Sequence, residues 1–283
     1  MAPMSIPRNL ISDSALVQEV LDLLPGNGGR MTFPEIVDRI FRLADADEYV
    51  AASLVGDLIG EDPRFDFDGQ YLVATKLETD GPPLTDIEFV VFDIEATSER
   101  SQLPRIIELG AYRVRANQIG ESFQTLVNPG RRLTKFVAAL TGIRNEMLGD
   151  APVFNEVAQA WLDFAGDAVL VAHNSTFDMP LLNREIARVF PGYRMGNDEL
   201  CTVNLARSVF PDLNSYRLEF LAEHFGFELT KHHRGLNDAL TTARVLLRLL
   251  AELTSQGART LSDVRNLERA RETRSNLRLA LDV

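Results

Sequence analysis

The chain has 283 residues, of which 45% are hydrophobic and 25% charged, with a formal net charge of −12. That is globular material, long enough for a sizeable core and for two domains. No run approaches the roughly 20 apolar residues of a membrane helix, and Cys201 as the single cysteine excludes an internal disulfide or a cysteine-built zinc site.

Residues 1–85 hold 6 Lys and Arg against 15 Asp and Glu, while residues 256–283 hold 6 against 4. Proteins that bind nucleic acid through bulk charge are basic; this chain is not. Its start, Met1 to Arg8, lacks the apolar centre of a signal peptide. A cytoplasmic location with no membrane association is the expectation.

Residues 1–80 read as one small domain. Leu16, Val17, Val20, Leu21 and Leu24 recur at helical spacing, and Pro25 to Gly29 breaks the pattern. Thr32, with Glu35 three residues on, forms a capping-box signature before a second helix carrying Ile36, Val37 and Ile40. Asp45 or Asp47 opens a third helix through Val50, Leu54, Val55 and Leu58. Phe65 to Ala74 alternates around an Asp-Gly turn, the signal of a hairpin. Three helices and a hairpin resemble a winged helix-turn-helix domain. In such folds the third helix enters the major groove, yet residues 44–62 contain no Lys or Arg. The acidic domain is therefore expected to serve a protein partner or a structural role rather than DNA. Residues 81–87, rich in Pro and Gly, read as a linker.

The second domain is expected over residues 88–255. Phe89 to Glu95 reads as a short buried strand that ends in Asp93 and Glu95. Residues two apart on a strand share a face, so both carboxylates project together. Side by side they repel, and a divalent cation relieves that cost. Residues 105–116 and 122–127 read as the next strands of an antiparallel meander. Val153 to Phe164 is an amphipathic helix with Trp161 in the core. Residues 168–172 form a continuous apolar strand, as expected where both faces are covered. It runs into His173-Asn174-Ser175-Thr176-Phe177-Asp178 and a helix, placing polar groups at a strand's carboxyl end. Taken alone, Asp178 is a favourable charge at a helix N-terminus. Lys231 to Ala243 leads a long apolar helix, with His233 five residues before Asp238.

Asp93, Glu95, Asp178 and Asp238 thus give four carboxylates from three separated segments, with His233 as a base whose ordinary pKa is ~6.5. Such a set suits two Mg²⁺ or Mn²⁺ ions and an activated water. The segments FVVFDIEAT, RIIELGAYRV, LTGIRNEML, LVAHNSTFDMPLL and HRGLNDALTTA stand in order. Together they resemble the DEDD superfamily of 3′–5′ exonucleases, in its histidine subclass, and within it the epsilon-type (proofreading) domains of bacterial DNA polymerase III. The resemblance implies an α/β, RNase H-like fold: a mixed five-stranded sheet flanked by helices. It implies that Asp93 bridges two metal ions, that Glu95 and Asp238 complete one site, and that Asp178 holds the other ion largely through water. His233 would take a proton from the attacking water, releasing nucleoside 5′-monophosphates. The substrate implied is a single-stranded or frayed 3′ end of DNA, with RNA as the alternative; a non-catalytic winged-helix regulator with a relic nuclease fold is a further one.

Two positions depart from the family pattern. Ala96-Thr97-Ser98 follows the glutamate where the family often has Thr-Thr-Gly, and Thr141 stands where it often has His. Thr97, Thr141 and Asn174 are the candidate substrate-binding residues. His173, His224 and His232 are given structural roles. Residues 256–283, with Arg265, Arg269, Arg271, Arg274 and Arg278, read as a solvated C-terminal helical tail.

Overall fold

The computed structural model describes residues 6–75, 82–97, 103–228 and 234–267. The chain divides into two compact units, one of Met1–Leu77 with Ile186–Gly196, the other of Glu78–Glu185 with Asn197–Val283. No helix among the described residues is long and apolar enough to cross a membrane.

The first unit runs β1 (Leu10–Ser12), α1 (Ala15–Leu23), β2 (Arg30–Thr32), α2 (Phe33–Phe41), α3 (Glu48–Ile59), β3 (Phe65–Asp68) and β4 (Tyr71–Ala74). The expected cap at Thr32 forms: its hydroxyl accepts from the Glu35 N–H, and the Glu35 carboxylate accepts from the Thr32 N–H at 2.9 Å. Asp47 caps α3, accepting from the Tyr49 N–H at 2.9 Å. The hairpin turns at Gly69, whose φ of +60° favours glycine. β2 adds to it, giving an antiparallel sheet in the order β2-β4-β3. Val20, Leu24, Ile36, Val37, Val55 and Leu72 fill the core beneath.

The second unit begins with β5 (Phe89–Ala96), β6 (Ile106–Arg115) and β7 (Gln118–Leu126), followed by α4 (Lys135–Thr141), α5 (Asn145–Gly149) and α6 (Phe154–Ala165). β8 (Val169–Ala172) and α7 (Ser175–Val189) follow; after β9 (Tyr193–Met195), which belongs to the first unit, come β10 (Glu199–Cys201), α8 (Thr202–Val209), α9 (Leu218–His224) and α10 (Gly235–Ser255). Five strands form one mixed sheet in the order β10-β8-β5-β6-β7. The meander β5-β6-β7 is antiparallel, and β8 runs parallel to both β5 and β10. This is the mixed sheet flanked by helices that the family resemblance implies.

The sheet buries both faces. Phe89 and Val91 of β5 share a core with Leu205 of α8, Leu221 of α9 and Leu246 of α10. Phe92 points the other way, onto Trp161 of α6, with ring centroids 5.6 Å apart. Alternation therefore puts Asp93 and Glu95 on the α10 side, just past the apolar part of the strand.

Two regions pack more closely than their composition suggests. Leu84 and Ile87, in the stretch read as a linker, join the core of the second unit, and the Leu84 N–H donates to the Arg259 carbonyl at 2.8 Å. Ala258 and Val264, in the stretch read as a tail, are buried in the same core; residues 268–283 lie outside the described residues. Within the first unit, β1 pairs antiparallel with β9, setting Leu10 against Met195. The Asp62 carboxylate, almost fully buried, accepts from the Ser12 N–H at 2.8 Å and from the Arg64 side chain.

Candidate active site

Three carboxylates converge where β5 ends and α10 begins. Oxygen atoms of Asp93, Glu95 and Asp238 all lie within 4.8 Å of one another. Asp93 and Glu95 come from one strand face, and Asp238 comes from the first turn of α10. Asp178 adjoins them from the first turn of α7; its carboxylate accepts from the Ile94 N–H at 3.2 Å. Asp178 and Asp238 are both nearly buried, at 4% and 8% exposure.

The electrostatics of this cluster are unfavourable without a counter-charge. Burial, followed by repulsion from Asp178, Glu95 and Asp238, pushes the Asp93 carboxyl well above the usual carboxylate range. Negative groups this close are relieved by a proton or by a cation. The donors are all carboxylate oxygens, which suit a hard divalent ion such as magnesium or manganese. The group can therefore hold a divalent cation.

The helix α10 reaches the cluster because the backbones meet closely. A Cβ on Gly110 of β6 would fall 2.2 Å from the Leu236 nitrogen. Only glycine permits α10 to begin against β6 at this height. Sequence reasoning missed Gly110, and it missed Glu108, which faces Glu95 across the ladder. The available signal was a lone acid and a glycine inside the apolar first half of the strand.

The remaining candidates are placed as follows. Thr97 is nearly buried, and its hydroxyl accepts from the Arg105 N–H at 3.1 Å and from the Arg131 guanidinium at 2.6 Å. Arg105 in turn reaches the Glu185 carboxylate on α7 at 3.2 Å, tying the start of β6 to the helix that carries Asp178. Thr141 is 4% exposed; its hydroxyl donates to the Val137 carbonyl and accepts from the Ile143 N–H, closing the end of α4. Asn174 is exposed with φ +69°, and its side-chain oxygen accepts from the Thr176 hydroxyl. The His173 ring nitrogen sits 2.8 Å from the Thr202 hydroxyl, and burial draws its pKa down to about 4. His232 and His233 lie outside the described residues.

The family described as Exonuclease (RNase_T) matches residues 90–246. The DNA polymerase III subunit epsilon of Aquifex aeolicus is 41% identical over 170 residues, covering 60% of this chain and 84% of that protein. The PolC-type DNA polymerase III of Caldanaerobacter subterraneus subsp. tengcongensis is 38% identical over 185 residues, which is 65% of this chain but only 13% of the polymerase. The chain thus corresponds to a small part of the PolC-type relative. Among solved structures, exonuclease X in complex with 5′ overhanging duplex DNA matches with a TM-score of 0.50 and 24% identity, over 64% of this chain and 99% of its own. A 3′-exonuclease solved for 3′-end specific recognition of a histone mRNA stem-loop matches at 0.52 and 20% identity, over 58% and 82%. At these identities the structural likeness is one of fold.

Proposed function

Since the chain belongs to this exonuclease family, we propose that it is a 3′–5′ exonuclease that releases nucleoside 5′-monophosphates from the 3′ end of DNA. The convergence of Asp93, Glu95 and Asp238 on one point carries the reading. Two divalent ions, Mg²⁺ or Mn²⁺, are its cofactors. When bound, they supply positive charge for the scissile phosphate and for the leaving 3′-oxygen.

The chain's own residues would divide the work. Asp93, Glu95 and Asp238 would hold one ion, and Asp178 would help to hold the other. His233 takes the proton from the attacking water, a task suited to an imidazole near neutral pH. Thr97 and Asn174 border the terminal nucleotide, and Thr141 supports that border from its turn. The net negative charge of the chain is no obstacle, because bound cations set the local potential.

DNA is favoured over RNA by the 41% identity to a DNA polymerase III subunit. The proposed place of work is the cytoplasm. The first unit, read as a winged helix-turn-helix domain over residues 1–80, would recruit a protein partner through its acidic surface. Side-by-side digestion of matched DNA and RNA oligonucleotides tests the substrate; faster turnover of RNA would reverse that choice while leaving the nuclease reading intact.

A further inference from the structure

Glu108 lies near the start of β6 and is completely buried. A carboxylate there is costly unless every oxygen is bonded. Both oxygens are. The Arg234 guanidinium donates to them in a fork, Nη2 to Oε1 at 2.9 Å and Nε to Oε2 at 3.1 Å. The Gly235 N–H donates to Oε2 at 3.0 Å, and the Gln124 amide donates to Oε1 at 2.9 Å.

These bonds do more than satisfy a buried charge. Gly235 is the first residue of α10, and Arg234 precedes it. Asp238 follows one turn later, and His233 comes immediately before Arg234. Gly235 also sits on the backbone of Gly110 and near the Asp93 carbonyl. One acid on β6 thus grips the junction from which α10, and with it Asp238, departs.

We infer that Glu108 is a positioning residue for the reaction: through Arg234 and the Gly235 amide it fixes where α10 begins, and so where Asp238 meets Asp93 and Glu95. The inference rests on the nuclease reading and assigns to it a residue that touches neither ion nor substrate. Partners of this kind commonly alter activity or metal affinity by roughly 10–100-fold when removed.

The test uses the full chain and compares wild type with Glu108→Ala, Glu108→Gln, Arg234→Ala and the double variant Glu108→Ala/Arg234→Ala. Hydrolysis of a 3′-labelled single-stranded oligonucleotide is followed with Mn²⁺, well below each melting midpoint. Glu108→Ala should lower kcat roughly 10–100-fold with KM for the oligonucleotide nearly unchanged. It should also raise the Mn²⁺ concentration needed for half-maximal rate. Glu108→Gln, which keeps an acceptor for the Gly235 amide, should recover part of the loss. The double variant should be no slower than Glu108→Ala alone, since both residues act in one clamp. Variants that melt earlier but keep the wild-type kcat and Mn²⁺ requirement would reduce Glu108 to a structural support and overturn the inference. If the wild type cleaves neither DNA nor RNA, the nuclease reading fails. Mn²⁺ affinity by calorimetry then decides the clamp separately, and an unchanged affinity in Glu108→Ala and Glu108→Gln overturns it.

Discussion

Glu95 and Glu108 are register partners on adjacent antiparallel strands, so two acids face each other across the β5–β6 ladder. Like charges placed this way are destabilising. The chain resolves the conflict asymmetrically: Glu108 is bonded to Arg234 and the Gly235 N–H, while Glu95 joins Asp93 and Asp238. One acid anchors a helix and the other faces the proposed ions.

The carboxylate cluster makes the ion-free protein sensitive to pH in a defined direction. The Asp93 carboxyl is raised above its ordinary 3.8, so the folded state takes up its proton more readily than the unfolded state. Its stability contribution is complete below the ordinary value and is lost as pH rises through the raised one. Melting with a chelator present should fall towards neutral pH, and adding Mg²⁺ should restore it. In chelator, Asp93→Asn should melt higher than wild type at about pH 7.5. Identical midpoints with and without Mg²⁺ would argue against an ion site.

Gly110→Ala drives a methyl group into the first turn of α10. Forced overpacking costs typically about 1–3 kcal/mol. Urea unfolding should show that loss, and nuclease turnover should fall with it, because Asp238 rides on the displaced helix. Unchanged stability and rate would mean that β6 and α10 do not approach as described.

His173 provides a second pH effect, opposite in sign. Burial lowers its pKa from 6.5 to about 4, so between those values the unfolded state binds the extra proton. The contribution is present above about 6.5 and lost as pH falls towards 4. His173→Asn should flatten the stability profile across that window. A profile as steep as wild type would assign the acid sensitivity elsewhere.

His233→Ala should lower turnover by roughly 10²–10⁴, the usual contribution of a positioned general base. Mn²⁺ binding measured by calorimetry should persist. An undiminished rate would remove His233 from the proposed mechanism.

Strand β5 was legible because its signals are local, whereas the five-stranded mixed sheet was expected only from the family resemblance. Phe89 to Ala96 is an apolar strand with two acids at a two-residue spacing, and that spacing alone places both on one face. Thr32 and Glu35 announced a helix start within four residues. What escaped was long-range. β1 and β9 are three residues each, too short for a periodic pattern, and their sequences lie far apart. The bond from Glu108 to Arg234 spans 126 positions. Glu108 could be seen as an acid in an apolar strand, but nothing near it in sequence names its partner. The stretch around Leu84 read as a linker because Pro and Gly dominate its composition, while two apolar side chains tie it to the core.

The most direct measurement is the release of the terminal nucleotide from 3′-labelled and 5′-labelled single-stranded DNA by wild type and by Asp93→Asn, with Mg²⁺ and with chelator. The account predicts immediate release of mononucleotide from the 3′ label by the wild type with Mg²⁺, and none by Asp93→Asn or in chelator. Equal cleavage by Asp93→Asn, or hydrolysis undiminished by chelator, would contradict it.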